Sequence, residues 1–192
     1  MKVLFVSSGN TRSGISSLVY EQGESLKTLG IEVDYFLVKG SGILGYKNNI
    51  YPLRKYYKSG HYDLVHAHNI FCGFLCSLAR LKPLIVSLMG WNVEKIYLKY
   101  LIRFFYYLSW DKCIVKSKNM QLSLGKIDVE VIPNGVNIDL FKPMDKGTAQ
   151  QFLGWEKNKI HILFAADPSR PIKNFQLCKK AISMINMDNI VL

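Results

Sequence analysis

A few short stretches of the chain carry groups that could do chemistry, and most of them suit an anion or a hydroxyl. Gly9 to Ser16, G-N-T-R-S-G-I-S, follows an apolar run and opens a helical pattern. Gly14 there would let a ligand approach backbone N–H groups at a helix start, where anions are stabilised. The spacing comes close to a phosphate-binding P-loop, but Ile15 stands where that loop needs Lys. The G-x-G-x-x-G of a dinucleotide site is also missing. A tight turn between strand and helix would use the same residues. Asp63 to Asn69, D-L-V-H-A-H-N, puts His66 and His68 on one side of an extended chain. His68 falls near the strand's C-terminal end, where open α/β sheets bind ligands. A metal would need a third ligand and none is indicated, so no metal is expected. A lone core histidine is the plain alternative. In F-A-A-D-P-S-R-P-I-K-N, residues 164–174, Arg170 and Lys173 stand where a strand ends and a helix begins. Two cations and helix amides converging there would suit a leaving diphosphate, and a solvated basic loop is the alternative.

These groups need a scaffold, and the hydrophobic pattern supplies one. Apolar strands are expected at 3–6, 31–38, 63–66, 84–88, 112–115 and 129–132. Helical patterns fall between them at 15–29, 50–58, 71–80, 93–108 and 117–124. Lys39 to Asn49 is rich in glycine and lysine and reads as a mobile loop. Strands alternating with helices predict a doubly wound parallel α/β sheet. The alternation restarts with a helix at 149–153, a strand at 161–166, a helix at 174–185 and a strand from 190. That is an incomplete second βαβ unit. Two domains follow, 1–147 and 148–192.

Between them lies V-E-V-I-P-N-G-V-N-I-D-L-F-K-P, residues 129–143. Pro133 ends a β-branched run, Asn134-Gly135 supplies a turn, and Phe141 is a lone aromatic anchor. A hairpin or surface loop would look similar. The string V-I-P-N-G-V-x-x-x-x-F-x-P resembles the segment leading out of the N-terminal domain in family 4 glycosyltransferases of the GT-B fold. D-L-V-H-A-H and S-L-M-G-W-N (87–92) resemble two further loops of that family. The resemblance implies two Rossmann-like domains facing across a cleft, with the acceptor mainly on the first and the nucleotide-sugar donor mainly on the second. It implies a retaining transferase in polysaccharide or glycolipid biosynthesis. Gly14, Arg170 and Lys173 would then hold the donor phosphates. Ser13, His68, Gly90 and Asn92 would hold a glycan or lipid-linked acceptor. Many members carry His where this chain has Met89, and a thioether cannot transfer a proton. No cofactor is implied; the nucleotide sugar is a substrate. The family's paired glutamates lie further along the second domain than residue 192. The isolated chain is therefore expected to be inactive, or to need a separate donor domain.

Composition bounds the remaining classes. The chain has 192 residues, is 49% hydrophobic and carries a net charge of +11. No run is long and uncharged enough to cross a bilayer, and the apolar start is too short for a signal peptide, so a cytoplasmic location is expected. The four cysteines show no zinc or redox spacing. The charge suits nucleic acid, anionic lipid or phosphorylated ligands, but no nucleic-acid motif accompanies it, so no nucleic-acid partner is expected. In 93–108, Val93, Ile96, Tyr97, Tyr100, Leu101, Phe104, Phe105 and Leu108 make one apolar face. Leu98, Ile102 and Tyr106 form a second row beside Lys95, Lys99 and Arg103. This helix is either buried with a basic edge or faces the inner surface of a membrane, helped by Arg54, Lys55 and Lys58. A non-enzymatic acceptor- or membrane-binding module is the alternative to the transferase.

Overall fold

In the computed structural model, β1 (Lys2–Ser8) runs between two parallel neighbours, β2 (Glu32–Val38) and β3 (Leu64–His68). The residues described are 1–11, 14–90, 95–185 and 187–192. β4 (Leu84–Leu88), β5 (Lys112–Val115) and β6 (Glu130–Val131) extend the sheet in the order β2-β1-β3-β4-β5-β6, all parallel. Val3 to Val6 are buried on both faces, as strands of such sheets must be. Alternate residues feed two separate cores. Val3 and Phe5 pack with Val19 of α1 (Ser17–Thr28) and Val33. Leu4 and Val6 join Leu53 of α3 (Ile50–Gly60) and Leu75 of α4 (Ile70–Leu78). The same core takes Ile102 of α5 (Ile96–Ser109) and Leu124 of α6 (Lys118–Leu124). Helices thus cover both faces, giving the doubly wound sheet that the alternation predicts. Cys72, Cys76 and Cys113 are buried in the second of these cores.

The segment 39–49 differs from the expected mobile loop. It contains a short helix, α2 (Gly42–Lys47), and two side-chain amides fasten it. Asn10 donates to the Gly40 carbonyl at 2.8 Å and accepts from the Gly40 amide at 3.1 Å. Asn49 donates to the carbonyls of Lys39 and Gly45. A Cβ on Gly45 would stand 2.5 Å from the Gly40 carbonyl carbon, so glycine is required here for close backbone packing.

Helix α5 also departs from expectation. In the row read as its main apolar face, Ile96, Tyr97, Tyr100, Leu101, Phe104 and Leu108 are exposed and Phe105 packs against the core, while Leu98 and Ile102 of the second row are buried in that core. Val93 lies outside the described residues. Two cations assigned to a membrane edge have backbone partners. Arg103 donates to the Leu124 carbonyl at the end of α6, at 2.8 and 3.2 Å. Arg54 donates to the Ala79 carbonyl at the end of α4, at 3.0 Å. Cations at helix C-termini satisfy orphan carbonyls and the negative end of the dipole.

The chain divides into two compact units, Met1–Asn137 and Ile138–Leu192; the sequence reading places the change at residue 147. The second unit holds α7 (Lys146–Leu153), β7 (Ile160–His161), α8 (Phe175–Ser183) and β8 (Ile190–Val191). β7 and β8 pair in parallel around α8, a second βαβ. Of the expected strand 161–166, only His161 lies in β7, whose two residues pair with Ile190 and Val191 of β8. Among the described residues, no apolar side chain of this unit is fully buried.

Candidate functional site

The glycine loop leaves β1 under tight constraint. The Gly9 amide donates to the Val38 carbonyl at 2.8 Å, and a Cβ on Gly9 would stand 3.0 Å from the Leu37 Cβ. Asn10 then ties the loop to Gly40. Gly14 donates to the Thr11 carbonyl at 3.0 Å and has φ +78°, a conformation that a side chain would strain. Ser16 sits at the N-cap of α1, but its side chain makes no capping hydrogen bond, and the first turn holds no acid. Among the described residues no side chain caps this helix start, and its positive dipole end suits an anion. Ser13 lies outside the described residues.

Beside this loop, on the face of the sheet that carries Phe5, β3 presents two histidine rings. Their centroids are 4.2 Å apart, and both rings pack on Phe5, at 5.2 Å from His66 and 4.4 Å from His68. His66 Nε2 lies 2.8 Å from Ser87 Oγ. Among the described residues, neither ring nitrogen of His68 has a hydrogen-bond partner, although the residue is only 1% exposed. A buried polar group in that state is costly and calls for an explanation. Burial pushes the His66 imidazole down to about 4, and the Lys116 charge adds to it. Burial also holds His68 well below 6.5, with His66 and Lys116 adding to the effect. Both rings are neutral at physiological pH, so each has one donor and one acceptor nitrogen to offer.

Lys116 follows β5 directly, one residue past the Leu88–Val115 pair that places it at the register of Met89. It is half-buried, with no salt bridge among the described residues, and burial lowers its pKa. Ser87 and Lys116 escaped the sequence reading because their roles arise from cross-strand register. The available signal was a lysine closing an apolar strand just before the N-cap Ser117. Met89 packs partly buried against the core of α1. Gly90 stands exposed just past the end of β4, and a Cβ there would meet nothing within 4 Å among the described residues. Asn92 lies outside the described residues. Asn69 has φ 100° and caps α4 by accepting from the Cys72 amide at 2.9 Å.

Arg170 and Lys173 belong to the second unit and flank one turn there. Pro171–Lys173 forms a 3-10 turn in which the Lys173 amide donates to the Arg170 carbonyl at 2.9 Å. Asn174, with φ 52°, caps α8 by accepting from the Leu177 amide at 3.3 Å. Both cations are exposed and make no salt bridge among the described residues. Nearby Asp167 accepts from the amide and the hydroxyl of Ser169. These bonds lower its pKa, with a smaller contribution from the Arg170 charge. The turn thus offers two cations beside a helix start. Gly14, His68 and Gly90 all lie in the first unit, at the C-terminal ends of its strands and the loops that follow.

Comparison with known proteins adds an independent finding. A sequence profile described as Glycosyltransferase Family 4 matches residues 42–140. A search of curated proteins gave no match. Among solved structures, the chain is similar to sucrose-phosphate synthase from Thermosynechococcus elongatus, with TM-score 0.70 at 14% identity, covering 99% of this chain and 69% of that one. It is similar to HepE from Anabaena, solved with UDP and glucose, with TM-score 0.64 at 17% identity, covering 100% and 60%. A glycosyltransferase from Rickettsia africae gives TM-score 0.60 at 14% identity, covering 99% and 67%. The chain spans 60–69% of the length of these three. At such identities the likeness establishes the fold, that of the GT-B glycosyltransferases.

Proposed function

The chain belongs to Glycosyltransferase Family 4, and from that premise we propose that it moves a sugar from a nucleotide-sugar donor to a glycan or lipid-linked acceptor with retention of configuration. The observation that carries this reading is the open start of α1 behind Gly14, whose φ of +78° brings uncapped helix donors to the strand ends. Those donors in the first unit, and independently Arg170 and Lys173 in the second, are each proposed as contacts for the donor diphosphate. Negative charge builds on the diphosphate as the bond from the sugar's anomeric carbon to the leaving oxygen breaks. Fixed donors and cations stabilise that charge without reorganisation. The acceptor hydroxyl attacks from the face that the diphosphate leaves, and its proton passes to the departing phosphate oxygen. Met89 cannot move a proton, so the chemistry rests on positioning and charge. His68, whose buried ring nitrogens have no hydrogen-bond partner among the described residues, is proposed to bind an acceptor hydroxyl, with Gly90 giving backbone approach. Ser13 and Asn92 are proposed for the same acceptor. The work would be done in the cytoplasm, at or near the inner face of a membrane, in building a polysaccharide or glycolipid.

Lys173→Ala tests the donor side, in a version joined to a complete second domain. Removing one such donor costs roughly 10²–10³ in rate. We expect kcat to fall near that range with the fold intact, and Arg170→Ala to cost less. Near-normal kcat for Lys173→Ala would end the donor-phosphate assignment. One observation favours a second reading, that of a binding module needing a separate donor domain: the second unit buries no apolar side chain among its described residues. On that reading residues 1–192 alone bind acceptor without turning over, and robust turnover by the chain alone would remove it.

A further inference from the structure

Two lysines lie on one face of β5, and their surroundings differ. Residues two apart along a strand, and residues paired across parallel strands, point to the same side. Lys112, at the start of β5, meets Asp128 at 3.8 Å and Glu130 at 3.7 Å. Lys116, just past the end of the strand, is half-buried and makes no salt bridge among the described residues. Holding a cation in partial burial costs free energy unless an anion answers it. Register shows what surrounds it. Ser87 pairs with His68 on one side and with Ile114 on the other, so His68, Ser87, Ile114 and Lys116 line one face. Both imidazoles feel the Lys116 charge, which agrees with this placement. The face is open near β5: Ile85 and Ile114 are half-buried on it, whereas Val86 and Cys113 on the opposite face are fully buried.

Distance decides which anion Lys116 can serve. The sheet runs β1-β3-β4-β5 from the strand that feeds the Gly14 loop to the strand that ends at Lys116. At about 4.8 Å per strand, these two strands are roughly 14 Å apart. One diphosphate seated at the start of α1 does not extend across three strand spacings, so Lys116 answers a second anion. His68 lies between, on β3, roughly 10 Å from the line of β5, and the four-carbon stem of the lysine shortens that gap. The His68 ring is buried and its nitrogens have no partner among the described residues. A neutral imidazole offers one donor and one acceptor, which suits a hydroxyl, while an ammonium suits an oxyanion. A ligand that reaches both carries a hydroxyl at one end and a negative charge at the other. Met89 follows β4, the strand between them, and its unbranched, adaptable side chain can shift to admit such a ligand.

We infer that Lys116 and His68 form a subsite for an acceptor that carries an oxyanion, with the ammonium on the oxyanion and the imidazole on a hydroxyl. A sugar acid and a sugar phosphate both fit this chemistry. The inference deepens the proposed transfer and rests on it for the ligand's role as acceptor. The test is nuclear magnetic resonance titration of the full chain, following the imidazole signals, with glucuronate, glucose-6-phosphate and glucose as probes. At least one charged sugar should bind about tenfold or more tighter than glucose. Lys116→Gln should abolish that preference and Lys116→Arg should keep part of it, with glucose binding unchanged in both. The amide spectrum checks the fold, and Lys116→Met is a second neutral variant if glutamine disturbs it. A preference for glucuronate identifies a carboxylate, and one for glucose-6-phosphate identifies a phosphate. Equal binding of the three sugars by the native chain, or no binding of any, would overturn the proposal, as would an undiminished preference in Lys116→Gln. So would a loss of UDP binding in Lys116→Gln as large as the loss for the charged sugar, since the cation would then serve the donor. UDP titrated into the native chain keeps the two readings apart: its failure to bind counts against sugar transfer, while the comparison of the sugars still decides the subsite.

Discussion

His66 and His68 should make the first unit sensitive to acid. Burial, with the Lys116 charge adding, pushes the His66 imidazole down to about 4, whereas the unfolded chain returns it to about 6.5. Above the unfolded value both states hold a neutral ring, and the full stability is present. As pH falls, the unfolded chain takes up a proton that the folded chain refuses. Stability is therefore lost from about pH 6.5 down to about pH 4, where the folded ring also protonates. For His66 alone the loss is on the order of 3 kcal/mol. That is a large part of the 5–15 kcal/mol typical of a domain. His68 shifts in the same direction and adds to the slope. Urea unfolding across this pH range should be compared for the native chain and His66→Gln. The glutamine amide can still reach Ser87 Oγ, which lies 2.8 Å from His66 Nε2. Every other titrating group is common to both, so the difference reports the His66 ring together with its coupling to His68. The native chain should lose on the order of 3 kcal/mol more than the variant. Parallel pH curves would refute the burial argument.

Two further outcomes follow from close contacts. Gly73 lets α4 lie directly on the sheet: a Cβ would stand 2.7 Å from Val86 Cγ1 and 3.0 Å from Trp110 Cζ2. Gly73→Ala should therefore lower stability by about 1–3 kcal/mol in urea titration despite its better helix propensity, and a gain would mean the layer yields easily. Asn10→Ala removes both bonds to Gly40. Hydrogen exchange at the Gly40 amide should quicken while the global unfolding midpoint moves little; unchanged exchange would show that Asn49 alone holds the segment.

The parallel sheet was legible because each strand is a short apolar run bounded by turn residues, and β4 and β5 have the bounds that the pattern predicts. Helix α2 was hidden by its glycines. Glycine usually signals freedom, but Gly40 and Gly45 are there to let two backbones touch, which only tertiary contact reveals. Helix α5 defeated periodicity for a different reason. Both sides of the helix are apolar, so a 3.6-residue repeat cannot say which one the sheet takes. Within the candidate site, Gly14, His68 and Gly90 stood out as residue types at strand ends. Ser87 and Lys116 did not, since their relation to the histidines depends on β3–β4–β5 register. The Arg170–Lys173 turn was visible from its two prolines, whereas the capping role of Asn174 needed its left-handed φ.

The burial of three cysteines has a chemical consequence. Desolvation pushes the thiols of Cys72 and Cys113 up to about 12, and that of Cys76 well above 9. The thiolate is the species that reacts with oxidants and electrophiles, and these three offer almost none of it at neutral pH. Cys178 is the one partly exposed thiol, one turn into α8, the helix that the Lys173 turn introduces. A maleimide dye added to the folded protein would therefore mark a single position without any engineering. That label would sit close to the proposed phosphate-binding turn, so its fluorescence could follow nucleotide binding directly.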